Sequence, residues 1–168
     1  MNQRKIVDID KLDALVFDFD GVLTDNKVHI SEDGKELVSC SRADGLGFDV
    51  LRKLKKPVYI VSTEKNLVVE ERARKLKIPV LQGVDDKVKA LKSISYKNKF
   101  SLEKILYIGN DLNDYKAIQL CGYSACPSDS HKKIKSISNI ILKGKGGSGL
   151  VRELLEDVFK LDFIKILF

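Results

Sequence analysis

A chain of 168 residues has room for one sizeable core and, as read here, forms a single domain over residues 1–168. Apolar residues at 43% against charged residues at 32% exclude a disordered or collagen-like chain. Thirty Lys and Arg against 24 Asp and Glu leave a net charge of +6, which fits an anionic small ligand or a weak nucleic-acid affinity and distinguishes neither.

In chain order, Ala14–Phe19 is a short apolar run, the mark of a buried strand. Val28–Ile30 and Glu36–Val38 flank Ser31-Glu-Asp-Gly-Lys35 and predict a β-hairpin. Asp44–Lys55 carries Leu46, Val50, Leu51 and Leu54 at helical spacing and is closed by Pro57. Val58–Val61 predicts a second buried strand, Glu64–Leu76 a helix, Val80-Leu81 a very short strand and Val84–Ser95 a helix. Lys104–Ile108 predicts a third buried strand, followed by a turn and a helix over Leu112–Leu120. Tyr123–Ala125 and Asn139–Leu142 are further strand candidates, and Val151–Val158 a closing helix. This alternation implies βαβ units, hence an α/β fold whose mostly parallel sheet is covered by helices on both faces. Lys143–Gly149 is a glycine-rich patch that reads as a flexible loop or as one ordered by a partner.

No apolar run approaches the ~18 residues of a membrane span. Met1–Lys11 mixes both charge signs without an apolar segment, so no signal peptide is expected. Cys40, Cys121 and Cys126 form no CxxC and have no histidine cluster beside them, which makes a reducing cytoplasm the simplest setting.

In open α/β sheets the ligand lies beyond the carboxyl ends of the strands. Three such ends are chemically loaded. Asp18 and Asp20 alternate with apolar residues and leave the same face of the first strand. Two carboxylates held this close repel unless a proton or a hard cation such as Mg²⁺ joins them, and Gly21 lets the chain turn sharply after them. Ser62-Thr63-Glu64 reads as a helix cap, as an anion site, or as both. Gly109-Asn110-Asp111-Leu-Asn-Asp114 can complete an oxygen-rich metal site or merely cap a helix. Lys87 alone reads as a solvated charge and matters only if the fold carries it to the carboxylates. Together these groups suit phosphoryl transfer, which rests on positioning and charge neutralisation.

Asp18–Asp25, Ser62, Lys87 and Gly109–Asp114 resemble, in order, the four motifs of the haloacid dehalogenase-like (HAD) phosphatases, over about residues 12 to 157. Asp33–Glu36, Ser41–Gly47, Ser62–Asn66, Gln82–Lys87 and Gly146–Glu153 look like its small capless branch. That branch holds 3-deoxy-D-manno-octulosonate (KDO) 8-phosphate phosphatases, nonulosonate 9-phosphate phosphatases and the phosphatase-like C-terminal domains of acylneuraminate cytidylyltransferases. The resemblance implies a Rossmann-like HAD fold with a hairpin insertion at about residues 27–40 and no large cap. It implies Asp18 as nucleophile and Mg²⁺ ligand, and Asp20 as acid/base, with its carbonyl on Mg²⁺. It further implies Ser62 on the phosphoryl oxygens, Lys87 balancing charge, and Asn110 or Asp111 as the last metal ligand. Many relatives read Gly-Asp-Asp where this chain reads Gly109-Asn110-Asp111, which leaves those two alternatives open.

The resemblance also implies a homotetramer whose hairpins associate, a neighbouring subunit covering each active site. The tail Phe163–Phe168 is then packed on its own subunit or ordered by that neighbour. Thr63, Glu64, Arg42, Arg72 and Lys75 are the candidate substrate contacts, with Glu64 opening its helix at the mouth and Lys75 reached through an interface. The Ser-Thr-Glu-Lys pattern resembles nonulosonate-type relatives, so a phosphorylated nine-carbon sugar acid is the first expectation and KDO 8-phosphate the second. A non-catalytic tetramerisation module is the competing class. Nucleic-acid binding through Lys92, Lys97, Lys99 and Lys104 is not expected, because Tyr96 and Phe100 are the only aromatics interleaved with them. No membrane partner is expected either.

Overall fold

The structure is a computed structural model and describes residues 7–168. Most of the N-terminal stretch read above for a targeting signal, residues 1–6, lies outside the described residues. Among the described residues no helix is long and apolar enough to cross a membrane.

Six strands form one sheet: β1 (Ala14–Phe17), β4 (Val58–Val61), β5 (Val80–Leu81), β6 (Ile105–Ile108), β7 (Tyr123–Cys126) and β8 (Ile140–Ile141). They run in the order β5-β4-β1-β6-β7-β8, and every pairing is parallel. β1 and β6 are buried along their whole length, as continuous apolar runs in a covered parallel sheet must be. β2 (His29–Ile30) and β3 (Glu36–Leu37) pair antiparallel as a separate hairpin. Apart from that hairpin, the one regular element between β1 and β4 is helix α1 (Ala43–Lys53), so no large cap is present.

Alternating strand side chains divide the core in two. Leu15, Phe17, Ile60, Leu106 and Ile108 meet α1, α2 (Val68–Leu76), α6 (Leu150–Glu153) and α7 (Phe163–Leu167). Val16, Val61, Ile105 and Tyr107 meet α3 (Lys87–Asn98), α4 (Tyr115–Leu120) and α5 (Lys132–Ile137). Phe17 and Phe48 stack edge to face across the first layer, centroids 5.4 Å apart.

Several boundaries differ from expectation. The helix expected from Glu64 begins at Val68, because side chains satisfy the intervening amides. Glu64 N–H donates to Ser62 Oγ, Lys65 and Asn66 N–H donate to Glu64 Oε1, and Val68 N–H donates to Asn66 Oδ1. α3 begins at Lys87 rather than Val84, since Asp86 is its N-cap and accepts from Lys89 N–H. The closing helix starts at Leu150 and passes into a π-helical turn over Leu154–Val158. α5 was not expected from the sequence, and neither was a helix in the tail. Phe163 is buried against its own core, with the Arg152 guanidinium 5.7 Å from its ring centre, so the start of the tail packs on its own chain, while Ile164 and Phe168 stay exposed.

The glycine-rich patch is held by contacts within its own chain. Gly147, at φ +73°, donates its N–H to the Val22 carbonyl at 3.0 Å. Gly146 donates to Asp129 Oδ1 at 3.0 Å, and a Cβ there would stand 2.3 Å from the Gly21 carbonyl oxygen. The patch is a wedge seated against the turn that follows β1, and only glycine permits the approach.

Asp44, at the start of α1 and 1% exposed, accepts the Val151 N–H at 2.9 Å and so ties α1 to α6, while its Oδ2 has no partner. Burial pushes its carboxyl up to about 6, against the Val151 hydrogen bond and the Arg72 charge. The folded state therefore holds this proton more tightly than the unfolded chain, whose value is near 3.8. The resulting stability is fully present below that lower value and is lost as pH rises through about 6. Asp44→Asn removes this dependence. Urea unfolding at pH 4 and pH 7 is expected to show the variant gaining about 2 kcal/mol on the wild type between the two.

Candidate active site

β1 lies where the strand order reverses, with β4 on one side and β6 on the other, so the crevice at its carboxyl end is the place for a ligand. The turns after β1, β4 and β6 meet there around a cavity of about 290 Å³ lined by Asp18, Asp20, Asn26, Ser62, Thr63 and the Asn110–Asn113 turn. A larger open groove of about 850 Å³ lies across Leu112 and Asn113, but the carboxylate pair lines the smaller space.

Lys87, 4% exposed, stands between two buried carboxylates, its Nζ 2.8 Å from Asp18 Oδ1 and 2.7 Å from Asp114 Oδ1. Burial alone would lower the lysine's pKa, but Asp18 and Asp114 outweigh it and raise it, so the cation is retained. Burial and then the charge of Asp114 push the Asp18 carboxyl up against the pull of Lys87. The two shifts have one cause: a single cation cannot neutralise two buried carboxylates. Asp114, 0% exposed, is the better hydrogen-bonded of the pair. It also accepts the Tyr107 hydroxyl at 2.6 Å on Oδ1, and the N–H groups of Asn110 at 2.9 Å and Asp111 at 3.3 Å on Oδ2. Gly109 lets the chain pass directly over it, since a Cβ there would stand 2.6 Å from Asp114 Cγ.

Asp20 is half-buried and sits in a different field. Its carboxyl is raised by burial and then by Glu64, while the Thr24 hydroxyl, which donates to Asp20 Oδ1 at 3.3 Å, opposes the rise. Thr24 Oγ1 also accepts the N–H groups of Gly21 at 3.1 Å and Asn26 at 3.2 Å, so one buried hydroxyl sets the whole turn. Gly21 has φ +79°, and a Cβ there would fall 1.9 Å from the Asn110 amide.

Ser62 is buried, and its Oγ accepts the Glu64 N–H at 3.1 Å, which leaves the hydroxyl proton free to be donated into the cavity. Thr63 lines the cavity and is exposed. Glu64 does not open α2; its carboxylate closes the turn before it. Asp111 caps the short turn Leu112–Asp114 by accepting the Leu112 N–H, so Asn110 rather than Asp111 faces the carboxylate pair. Arg42, Arg72 and Lys75 do not line this cavity. Arg72 donates to the Ser41 carbonyl at 2.9 Å, and Lys75 lies in the last turn of α2, away from the crevice. Sequence reading placed Asp114 in the Gly109–Asp114 turn without assigning it the Lys87 contact, and passed over Tyr107. The spacing Asp111-x-x-Asp114 was the available signal for the first, and nothing in the sequence marked the second.

Among the described residues no group of three His, Cys, Asp or Glu is placed to hold a metal ion, so a cation here must rest on a mixed oxygen set. One terminal atom of the Asn110 carboxamide lies 2.9 Å from the Asp20 carbonyl oxygen and 3.3 Å from Asp18 Oδ2. As nitrogen it donates to both. As oxygen it completes three converging oxygens that repel unless a hard cation joins them. Asp18 Oδ2, the Asp20 carbonyl and Asn110 therefore fit Mg²⁺.

Residues 60–154 match the family of haloacid dehalogenase-like hydrolases. The chain is 39% identical to a HAD family hydrolase of Streptomyces avermitilis MA-4680, covering 96% of this chain and 93% of that one with a TM-score of 0.92. It is 30% identical to the 3-deoxy-D-manno-octulosonate 8-phosphate phosphatase of Moraxella catarrhalis, solved with magnesium ion, phosphate ion and KDO, with 89% and 87% covered and a TM-score of 0.85. It is 31% identical over 150 residues to the N-acylneuraminate cytidylyltransferase A of Danio rerio, covering 88% of this chain and 35% of that protein, about a third of its length. The chain belongs to the haloacid dehalogenase-like hydrolases. Within that family it is a phosphoric monoester hydrolase.

Two measurements probe the electrostatics. Lys87→Met leaves two buried carboxylates without their cation and is expected to cost about 3–5 kcal/mol in urea unfolding at pH 7. Glu64→Gln removes one of the charges that raise Asp20. A group that must be protonated to donate sets the basic limb of the pH–rate profile, so that limb of kcat/KM is expected to move to lower pH.

Proposed function

We propose that this chain hydrolyses the phosphate monoester of a 2-keto-3-deoxy sugar acid through an aspartyl-phosphate on Asp18. The carrying observation is the buried Asp18–Lys87–Asp114 cluster opening on the cavity that Asp20 and Ser62 also line.

In this reading an Asp18 oxygen attacks phosphorus, and the bond from phosphorus to the sugar oxygen breaks. Asp20 gives its proton to the departing oxygen, which its raised pKa suits it to do near neutral pH. Asp20, now ionised, takes a proton from the water that attacks the phosphoryl group, and Asp18 and inorganic phosphate are released. Ser62 donates its hydroxyl to a phosphoryl oxygen, and Lys87 balances the charge gathered between nucleophile and phosphate. Mg²⁺ held by Asp18, the Asp20 carbonyl and Asn110 supplies further positive charge to the nucleophile and the phosphoryl oxygens. Asn110 stands in the ligand role in preference to Asp111, whose side chain is engaged as a cap.

The Moraxella catarrhalis relative supports an ester of the KDO 8-phosphate type. A nonulosonate 9-phosphate is the second reading. The cytidylyltransferase relative supports the same side. Both esters present a polyol next to the phosphate and keep their carboxylate at the far end.

Val28, Ile30 and Leu37 on the hairpin are 51%, 68% and 62% exposed, more apolar surface than a two-stranded ribbon covers alone. Glu36 on the same hairpin accepts the Asn66 amide at 3.2 Å, which leans it toward the site. These features support a homotetramer in which a neighbouring subunit closes the site against water. Arg42, Arg72 and Lys75 would then meet substrate only across that interface. The three free thiols fit a reducing cytoplasm.

Phosphate release is the direct test, over KDO 8-phosphate, a sialic-acid 9-phosphate, a deaminated nonulosonate 9-phosphate and simple hexose phosphates. Turnover of a sugar-acid ester is expected, abolished by a chelator and restored by Mg²⁺, and reduced by about 10³-fold or more in Asp18→Asn. Release from none of them by an intact tetramer would return the chain to the scaffold class.

A further inference from the structure

Tyr107 is the one polar side chain in β6, and its ring lies 0% exposed on the face covered by α3 and α4. It does not line the cavity. Its hydroxyl donates at 2.6 Å to Asp114 Oδ1, the same oxygen that holds Lys87 Nζ at 2.7 Å. We propose that Tyr107 is a positioning residue for phosphoryl transfer, acting through Asp114 to set how strongly Lys87 is shared with Asp18.

The argument is a competition. Lys87 lies at nearly equal distances from two carboxylates, 2.8 Å from Asp18 and 2.7 Å from Asp114. Its position depends on how much negative charge each oxygen still offers. A carboxylate has about four acceptor sites, and Asp114 fills them with Tyr107, Lys87 and the N–H groups of Asn110 and Asp111. Each donor draws charge from Asp114 and leaves more of the ammonium for Asp18. Without the hydroxyl, Oδ1 has the lysine as its sole partner, and the cation is drawn toward Asp114. Asp114 cannot compensate by turning, because Gly109 passes over it too closely and both Oδ2 hydrogen bonds would break. The charge lost at Asp18 matters most when the nucleophile and phosphoryl group approach, so the effect falls on the chemical step. The same contact would be worth nothing to catalysis if the ring only filled the core, since Phe fills the same space.

The test compares kcat and KM for wild type, Tyr107→Phe and Ile118→Val, the last altering the same core layer while leaving all four donors to the Asp114 carboxylate in place. Any phosphate monoester the wild type turns over serves, so a wrong choice of sugar acid leaves the comparison standing. The inference rests on Asp18 as nucleophile, and failure of that assignment shows separately as full activity in Asp18→Asn. Expected is a fall in kcat of about ten-fold in Tyr107→Phe with KM within about two-fold, and wild-type values for both constants in Ile118→Val. If Tyr107→Phe melts near the assay temperature, rates at 10 °C with trimethylamine N-oxide, normalised to the folded fraction by circular dichroism, are read by the same criterion. A kcat per folded molecule within about two-fold of wild type overturns the proposal, as does an equal fall in Ile118→Val.

Discussion

The sharing of one ammonium between two buried carboxylates is the constraint on which both fold and site depend. Lys87 comes from the first turn of α3, Asp18 from the end of β1 and Asp114 from the turn after β6. Each charge would be costly in the interior alone, and the three are tolerable only together. The parallel register of β1 against β6, with Phe17 opposite Ile108, sets the next residues of both strands side by side at the crevice. Helix α3, which packs on the sheet face that carries Tyr107, then brings the cation to them. Strand pairing and charge pairing therefore select the same arrangement, and neither can slip without the other.

A second constraint is volume. The turn after β1 is closely enclosed: the Asn110 side chain stands against Gly21, and the backbone of the Gly21–Asp25 segment stands against Gly146 and Gly147. Thr24 fills what remains and ties Asp20 to two turn amides. A cradle built this way leaves little room to rearrange, which is what a carboxyl that must meet both a leaving oxygen and a water requires. The glycines that looked like a loose loop in the sequence are small because another chain segment is pressed against them.

That contrast shows what a sequence can and cannot reveal. β1, β4 and β6 were legible because a fully covered parallel strand must be apolar throughout, and the loaded residues after them followed from the rule for open sheets. Asp18 and Asp20 were legible because two acids next to an apolar strand have few inexpensive explanations. Lys87 was not legible alone, since most helical lysines face water and only the crossover from β5 to β6 shows this one turning inward. Tyr107 was invisible for the same reason, a strand tyrosine being ordinary until its hydroxyl is traced to Asp114. The start of α2 was misplaced because helical periodicity does not register side chains that satisfy the amides of a turn. Arg42, Arg72 and Lys75 were chosen for charge, and a single chain does not carry them to the cavity.

The two carboxyls of the pair are both raised, for different reasons and with opposite consequences. Asp20 is raised by burial and by the neighbouring Glu64, at the edge of the cavity, where holding a proton is what a general acid must do. Asp18 is raised by deep burial and Asp114, and the nucleophile role proposed for it requires that it give its proton up. Lys87 touches Asp18 only at Oδ1, and its charge is already divided with Asp114. Oδ2 is the oxygen left over, and it points at the Asn110 carboxamide and the Asp20 carbonyl. Positive charge delivered at that oxygen is the direct way to return Asp18 to its ionised form, because the lysine cannot come closer without abandoning Asp114. In the proposed mechanism a cation at Asp18 Oδ2 would answer that need, and the neutral Asn110 there would trade affinity for the cation against repulsion of an anionic substrate.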